Sequence, residues 1–414
     1  MSYTALYGRD AADAPIHSDG YSYYVYVPAT LIYHDPSLEA LSNDWYRGIF
    51  PEFSGIRRWP ATGRWLNLHP VGTAISMAPF FLVAHALSSW SNFPRDGFSF
   101  YYQHAAGLAG LVYMIAGLAV LGRILRPHFS GAVVLATLAS ITWGTNLFHY
   151  GVFDSTFSHA FSFFLICVWL LLVERWWTAP TRRRAIALGI VAALIVVTRY
   201  TNAIFLILFP LFGVASWPDF SGRWRDLWTR RRDLAIAVFA GAIAAAPNFI
   251  LYKWITGQWL VSSYSAVGGG FDFGSPHLVG VLFSTQKGLF FWSPILLLAV
   301  LGTALARGWT RGLVVPVSII FIADTYLVAS WNYWQFGATF GHRAFTDGFA
   351  LAAPFLAATF EWAARRRGRC AAMSLFTIAM ILLSIAQMIQ YWMGILPTEN
   401  TTWTQYRTLF LRFQ

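Results

Sequence analysis

Residues 104–125 decide the fold, and they read HAAGLAGLVYMIAGLAVLGRIL, with Arg123 as the only side chain of fixed charge. A run of about 20 apolar residues is long enough to cross the hydrocarbon core of a bilayer as a helix. Nine further apolar runs of spanning or near-spanning length follow at 130–149, 157–176, 184–199, 201–217, 234–255, 289–306, 312–330, 344–363 and 370–395. The pattern predicts an all-α polytopic membrane protein with about ten transmembrane helices.

The composition of the whole chain supports this fold class. Hydrophobic residues make up 57% of the 414 residues and charged residues only 11%, whereas soluble domains carry roughly 25% charged residues. So little charge cannot cover a water-facing surface, which excludes a soluble enzyme, a disordered protein and a fibrous protein. The two cysteines, Cys167 and Cys370, fall in or beside apolar runs and form neither a disulfide framework nor a zinc site.

Basic residues are distributed unevenly between the two sides of the predicted bundle. One alternate set of loops, the Arg-rich side, holds 17 of them: Arg123, Arg126, Arg175, Arg182, Arg183, Arg184, Arg223, Arg225, Arg230, Arg231, Arg232, Arg307, Arg311, Arg365, Arg366, Arg367 and Arg369. The other set holds six: Arg199, Lys253, Lys287, Arg343, Arg407 and Arg412. Because basic loops stay in the cytoplasm, loops 257–288 and 331–343 are expected to face outward. The net charge of +11 therefore indicates topology, and not nucleic-acid binding, since no basic patch lies on a soluble module.

The amino-terminal part has two interpretations. If 104–125 runs from outside to inside, residues 1–103 must lie outside, yet the chain begins Met1-Ser2-Tyr3 without a signal peptide or a first span. One interpretation makes the apolar stretch 71–90 a span and leaves 1–70 in the cytoplasm. The other lays 71–90 along the outer membrane face and requires a first span that this sequence lacks.

Polar and ionisable residues collect on the Arg-poor side. They include His17-Ser18-Asp19-Gly20-Tyr21, His69-Pro70, Asp154, His159 and His342-Arg343. Ionisable groups near a membrane are costly and mark functional sites. Their convergence predicts an active site at the outer interface.

Six short motifs, in this order, carry a resemblance to a known family. They are His17-Ser18-Asp19-Gly20-Tyr21-Ser22-Tyr23-Tyr24, with His34-Asp35-Pro36 after it; Gly63-Arg64-Trp65-Leu66-Asn67-Leu68-His69-Pro70; Gly144-Thr145-Asn146 leading to Asp154-Ser155-Thr156-Phe157-Ser158-His159; Arg199-Tyr200-Thr201-Asn202; Lys287-Gly288-Leu289-Phe290-Phe291-Trp292-Ser293-Pro294; and Gly341-His342-Arg343. With the predicted topology, the chain resembles bacterial GT-C glycosyltransferases, which are polytopic enzymes that take a sugar from a polyprenyl phosphate.

The resemblance implies a GT-C-like bundle with a particular division of the chain. Residues 1–103 would form an outer-face catalytic loop in which 71–90 is a juxtamembrane helix, 104–395 the transmembrane bundle and 396–414 a short outer tail. It favours the second interpretation of the amino-terminal part, with one span fewer than the family has. It implies an inverting glycosyltransferase in the bacterial cytoplasmic membrane, whose active site faces outward.

The resemblance also assigns roles to the two carboxylates. Asp19 is expected to be the general base that deprotonates an acceptor hydroxyl, whereas its structural interpretation is a helix N-cap. Asp154 is expected to be a second carboxylate that helps to hold the acceptor, a metal or the geometry of Asp19; its structural interpretation is again an N-cap. Some members use a divalent metal and others do not, so a metal is possible and no metal ligand is assigned.

Basic and aromatic residues complete the predicted site. Arg343, then Lys287, then Arg199 would neutralise the leaving phosphate, although each could instead be a snorkelling anchor at the membrane surface. His69 stands where related enzymes often have Lys before Pro, so its phosphate role is weaker. Contacts to the sugar or acceptor are expected from Tyr23, His159 and His342.

Two other functions remain open. A non-enzymatic transporter or lipid flippase would use the same charged groups along a translocation path, and a polymerase or ligase for lipid-linked glycans would differ mainly in donor size. Few ionisable residues lie mid-span, with Asp324 the main exception, which favours the enzyme. The expected partners are a polyprenyl-phosphate-linked sugar, a glycan, lipid or protein acceptor, and membrane lipids, with no nucleic acid.

Overall fold

The computed structural model describes residues 14–41 and 55–413, so parts of the predicted loop 1–103 and the last residue of the predicted tail lie outside it. The described residues are mostly α-helical. Their helices are α1 Asp19–Tyr24, α2 Tyr26–Leu31, α3 Glu39–Leu41, α4 Gly72–Ser89, α5 Phe100–Leu125, α6 Gly131–Trp143, α7 Leu147–Val152, α8 Ser158–Thr178, α9 Arg182–Thr198, α10 Leu208–Leu211, α11 Trp217–Thr229, α12 Arg231–Thr256, α13 Leu278–Phe283, α14 Leu289–Trp292, α15 Leu297–Leu305, α16 Arg311–Ala329, α17 Phe349–Ala364, α18 Arg367–Trp392 and α19 Trp403–Leu409. Short 3₁₀ helices cover Tyr200–Ile207, Ser263–Val267, Pro294–Leu296, Gly308–Thr310 and Arg343–Gly348.

Six helical segments of the described chain are long and apolar enough to cross a membrane: Gly72–Ser89, Phe100–Leu125, Ser158–Thr178, Arg231–Thr256, Gly308–Ala329 and Arg367–Trp392. They confirm an all-α protein of membrane type. The other predicted spans are shorter or broken helices, so the count of ten stays a prediction. Run 289–306, for example, is interrupted at Ser293-Pro294 because proline has no N–H to donate to the preceding turn.

Helix α8 lies at the centre of the bundle, where α5, α9 and α17 pack around it. Its side chains Phe163, Ile166 and Leu170 are completely buried in the main apolar core. Helices α9 and α12 pack most closely, because Gly189 leaves room for the partner's backbone: a Cβ there would lie 1.9 Å from the carbonyl oxygen of Ala237.

The amino-terminal elements form a second apolar cluster against α4 and α5. Tyr21, Tyr24, Phe81 and Tyr102 are buried together in it. A small antiparallel hairpin, β1 Ile56–Arg58 and β2 Trp65–Asn67, precedes α4 and pairs Arg57 with Leu66. The sequence did not predict this hairpin, since strands of three residues are too short to show an alternation of apolar and polar side chains.

Helix α4 packs along α5 and α9. Whether α4 crosses the membrane or lies along its outer face stays a prediction.

Candidate active site

A cavity of about 740 Å³ lies where the ends of several helices meet the amino-terminal elements. Four of the residues predicted from the sequence line it, namely Tyr23, His69, Arg199 and Arg343, and Asp324 of α16 forms part of the same wall. Most of the remaining wall is apolar or aromatic, with the rings of Tyr200, Phe249, Tyr252, Trp259, Tyr264, Phe271, Trp331, Tyr333 and Phe336. Of the described lining residues, only Arg199 and Arg343 carry a fixed positive charge.

Asp19 and Arg343 form an ion pair beside this cavity. Arg343 Nη1 lies 2.8 Å from Asp19 Oδ2, with side chains 16% and 23% exposed. Asp19 is the first residue of α1 and its carboxylate does not cap that helix, so the N-cap interpretation is not what the structure shows. Burial opposes ionisation, but the nearby Arg343 outweighs it and holds the pKa of Asp19 below its ordinary value. The carboxylate is therefore charged at neutral pH, and its partner Arg343 is part of the cavity wall.

Asp154 lies away from the cavity lining, in a chain of polar contacts. One carboxylate oxygen is 3.2 Å from His17 Nε2, and the other is 2.9 Å from His149 Nε2. Trp392 of α18 donates its indole N–H to His149 Nδ1 at 2.9 Å. Of the three roles that the sequence left open, the contacts favour the geometry of Asp19, because His17 is two residues before it.

The segment that carries Asp19 is further fixed to the turn after Asp154. Thr156 donates its hydroxyl to the carbonyl of Pro15 at 2.6 Å. Gly20 sits directly against Thr156, and a Cβ at Gly20 would lie 2.0 Å from the Thr156 hydroxyl. Among the residues that the structure describes, no group of three or more His, Cys, Asp or Glu side chains is arranged to hold a metal ion.

His159 belongs to a separate buried network around Asp347. His159 Nδ1 is 2.8 Å from Asp347 Oδ1, Asn202 donates to Asp347 Oδ2 at 2.9 Å, and Arg199 Nε lies 3.7 Å from the same oxygen. The contacts place His159 behind Arg199 and not in the lining of the cavity. Sequence reasoning missed Asp347, although an acid inside the apolar run 344–363 is the same kind of signal that drew attention to Asp324.

Lys287 and His342 also lie outside the cavity lining. Lys287 is 3% exposed, and its ammonium donates to the backbone carbonyls of Thr339 and, at 2.7 Å, Thr398. Burial and then the charge of Arg343 lower the pKa of Lys287 to about 7. His342 is buried beside Phe345, and burial lowers its pKa to about 3. In this arrangement Lys287 joins two loops, and neither side chain reaches the cavity as the sequence predicted.

His69 and Tyr23 do line the cavity, but as neutral groups. The ring nitrogens of His69 contact the hydroxyls of Ser22 at 2.7 Å and Tyr264 at 3.0 Å, and the Tyr23 ring lies 4.1 Å from the His69 ring. Burial lowers the pKa of His69 to about 4. His69 can therefore offer a hydrogen bond but not a charge to a phosphate, because it is uncharged near neutral pH.

A second, almost wholly apolar groove of about 260 Å³ adjoins the first cavity. It runs between α14, α15, α16 and α17, and Asp324 lies in the wall of both spaces. The site thus combines two guanidinium groups, each beside a carboxylate, with a ring-lined chamber and a neighbouring apolar groove. Such a combination suits an amphiphilic ligand with an anionic, ring-bearing head.

A scan of the chain against protein-family models finds no matching family, and searches of curated proteins and of solved structures find no match either. The resemblance to GT-C enzymes therefore rests on the short motifs of the sequence.

Proposed function

We propose that the protein is an inverting glycosyltransferase that moves a monosaccharide from a polyprenyl phosphate to an acceptor hydroxyl in the 740 Å³ cavity. The observation that carries the proposal is the Asp19–Arg343 ion pair at 2.8 Å, which holds a carboxylate next to a guanidinium of the cavity wall. A transfer from a phosphate-linked sugar needs both groups: a base for the acceptor and a cation for the leaving phosphate.

The step uses the two groups in one displacement. The acceptor oxygen attacks the anomeric carbon from the face opposite the phosphate, a new carbon–oxygen bond forms and the anomeric carbon–phosphate oxygen bond breaks. The acceptor proton passes to the Asp19 carboxylate. The electron pair of the broken bond leaves on the polyprenyl phosphate, whose added negative charge is stabilised by Arg343 and Arg199. Configuration at the anomeric carbon inverts.

The ion pair also links donor binding to base strength. Arg343 lowers the pKa of Asp19 and so makes it a weaker base. A donor phosphate competes for the same guanidinium, because Arg343 lines the cavity and binds phosphate oxygens bidentately. Partial release of Asp19 then raises its proton affinity when the donor is present.

The walls are consistent with the two ends of such a donor. Trp331 and Tyr333 line the cavity and offer aromatic faces to a sugar ring. The apolar groove beside Asp324 would receive the first isoprenyl units.

Asp19→Asn tests the base. The amide keeps the shape of the side chain but cannot accept the acceptor proton, so transfer should fall by roughly 10²–10⁴-fold. The measurement is product formation by mass spectrometry, using the reconstituted full chain and a short-chain polyprenyl-phosphate sugar, with donor binding measured separately. Near wild-type turnover in the Asn variant, with normal folding, would remove Asp19 from the mechanism.

Arg343 variants in the same assay test the cation. Arg343→Ala should weaken donor binding and slow transfer together, and Arg343→Lys should recover only part, because the charge stays while the bidentate fork is lost. Arg407→Ala is the matched control, since Arg407 is an exposed arginine on α19 away from the cavity. Equal activity of the Arg, Lys and Ala proteins would reduce Arg343 to a membrane anchor.

A transporter is the second candidate, and the buried Asp324 and Asp347 are the observation that favours it. Proteoliposomes separate the two functions. A transporter moves its ligand across the bilayer without changing it, whereas the enzyme breaks the sugar–phosphate bond.

A further inference from the structure

Helix α11 presents a row of aromatic side chains that no other element covers within the part of the chain that the structure describes. Trp217 is 77% exposed, Trp224 55% and Trp228 72%. Phe220 lies between them and stacks on Trp217 with ring centroids 5.3 Å apart. At 100° per residue these four residues, the Trp face, share one side of the helix. Three widely exposed tryptophans on one helix are far more than scattered surface apolar residues would give.

The other sides of α11 are accounted for by contacts within the protein. Leu227 is buried. Arg223 donates to the carbonyl of Phe212 and lies over the ring of Trp177 at 3.6 Å. Ser216 accepts from the backbone N–H of Asp219 and so caps the helix start. The helix is thus held to the protein along the side of Leu227 and Arg223, which is next to the exposed Trp face.

The position of α11 in the chain places it at a membrane boundary. Only Arg230 separates its end from α12, one of the six helices that could cross a membrane. Before it lies the apolar helical segment Tyr200–Leu211. A 13-residue helix between these two apolar elements would lie beside the bilayer surface if α12 crosses the membrane.

Arginines lie close to the Trp face in the chain, with Arg225 on α11 and Arg231 and Arg232 at the start of α12. Arg225, Arg231 and Arg232 are exposed. Within the described residues, Arg225 and Arg232 form no ion pair or hydrogen bond, and Arg231 contacts only Trp228, through its carbonyl at 3.3 Å and its ring. The helix belongs to the Arg-rich side, where basic residues outnumber acids. The surface therefore offers both apolar rings and free guanidinium groups.

We propose that α11 is an interfacial helix that binds the surface of an anionic bilayer on the Arg-rich side. The Trp face enters the boundary between headgroups and acyl chains, where tryptophan is favoured. Arg225, Arg231 and Arg232 reach the lipid phosphates, so anionic lipids bind better than zwitterionic ones. The proposal is independent of the proposed glycosyl transfer, because no residue of α11 lines the cavity.

Depth-dependent fluorescence quenching tests the insertion. In a Cys370→Ser background, Trp224→Cys and Asp226→Cys each place one accessible label on α11, since both positions are exposed and Cys167 is buried. The full chain is placed in nanodiscs of phosphatidylcholine and phosphatidylglycerol whose chains carry a quencher near the headgroup. The label at 224 should be quenched several-fold more than the label at 226, which lies on the opposite side of the helix. Equal quenching, or a label at 224 that is shielded by protein and unaffected by the lipid quencher, would overturn the proposal.

Lipid selectivity tests the arginines. The midpoint of thermal unfolding in detergent should rise more with added phosphatidylglycerol than with phosphatidylcholine. Replacing Arg225 and Arg232 with Gln should lower the apparent affinity for phosphatidylglycerol by about fivefold per arginine. Arg407→Gln with Arg412→Gln, two exposed arginines distant in the chain from α11 and the start of α12, is the matched control and should change this affinity little. If both pairs of variants behave alike, the lipid does not bind at α11.

Discussion

The imidazole of His17 lies between two hydrogen-bond acceptors, and this geometry requires that both of its ring nitrogens carry a proton. His17 Nδ1 is 2.6 Å from the carbonyl oxygen of Ala14, and Nε2 is 3.2 Å from Asp154 Oδ1. A carbonyl and an ionised carboxylate are both acceptors only, so both ring nitrogens must carry a proton. Burial alone would lower the pKa of His17, but the hydrogen bond to Asp154 outweighs it and raises the pKa above its ordinary value. His17 is thus a charged link that holds the segment leading to Asp19.

The anchoring of residues 14–24 should weaken as the pH rises. A group whose pKa is raised by folding stabilises the fold fully below its ordinary pKa, about 6.5, and this stabilisation is lost as the pH rises through the folded value. Within that window, local opening should increase by up to about tenfold per pH unit. Hydrogen exchange of the Ile16 amide, which donates to Gln103 at 2.9 Å, measures it after correction for intrinsic exchange rates.

Other titratable groups lie close to His17, so the pH effect needs a control that removes the titration of His17 alone. His17 faces Asp154, which also contacts His149. Among the residues that the structure describes, the charged or titratable groups nearby include Tyr150, Tyr391, Asp19 and Arg343. His17→Gln removes the titration of position 17 alone and should leave exchange at Ile16 fast and independent of pH. A pH dependence that survives in the Gln variant would assign it to His149 or another neighbour.

At the residue scale, sequence reasoning selected residues of which several meet at one cavity, but it did not show which of the selected side chains reach that cavity. Tyr23, Arg199 and Arg343 line it as expected, because motifs at the same ends of apolar runs must meet at one side of the bundle. Lys287 lies in such a motif too, yet two loop carbonyls enclose it. Burial by loops distant in sequence has no local signal, so it could not be predicted.

At the scale of elements, close approach of α9 and α12 depends on a single missing side chain. Gly189→Ala would place a methyl group 1.9 Å from the Ala237 carbonyl oxygen, which only a backbone shift can relieve. Overpacking of this kind costs roughly 1–3 kcal/mol, so the midpoint of thermal unfolding in detergent should fall by several degrees. Gly368→Ala on α18, where nothing lies within 4 Å, is the control and should be neutral or slightly stabilising. Equal behaviour of the two variants would show that α9 and α12 do not pack this tightly.

The long helices were predictable because their apolar runs are uninterrupted. Runs 104–125, 234–255 and 370–395 correspond to Phe100–Leu125, Arg231–Thr256 and Arg367–Trp392. The run 201–217 does not form one continuous helix. It contains most of a 3₁₀ helix, the short α10 and the first residue of α11. Apolar composition is the same in a continuous and a broken helix, so hydropathy alone cannot separate them. The start of α11 has a capping Ser216 before Trp217-Pro218, which is a local signal that the apolar count overlooked.

At the scale of the whole molecule, the uneven distribution of basic residues and the position of the cavity should indicate the same outward-facing side. The cavity wall includes residues from the outward-predicted loop 257–288, among them Trp259, Tyr264 and Phe271. The wall also contains Arg199 and Arg343 of the six basic residues on that side, and none of the 17 on the Arg-rich side. A label that reports the side of this loop therefore also reports the side on which the cavity lies.

Cysteine labelling of intact cells tests this orientation. The exposed native Cys370 would itself react, so it is first replaced by Ser, and buried Cys167 is kept. Ser275→Cys, exposed within loop 257–288, and Gly368→Cys, in the Arg-rich loop, then serve as a pair. Basic loops resist translocation, so an impermeant maleimide should label position 275 in intact cells and position 368 only after permeabilisation. Labelling of 368 and not of 275 would reverse the orientation. The Asp19–Arg343 pair would then lie at the cytoplasmic face, where an outer-face acceptor could not reach it.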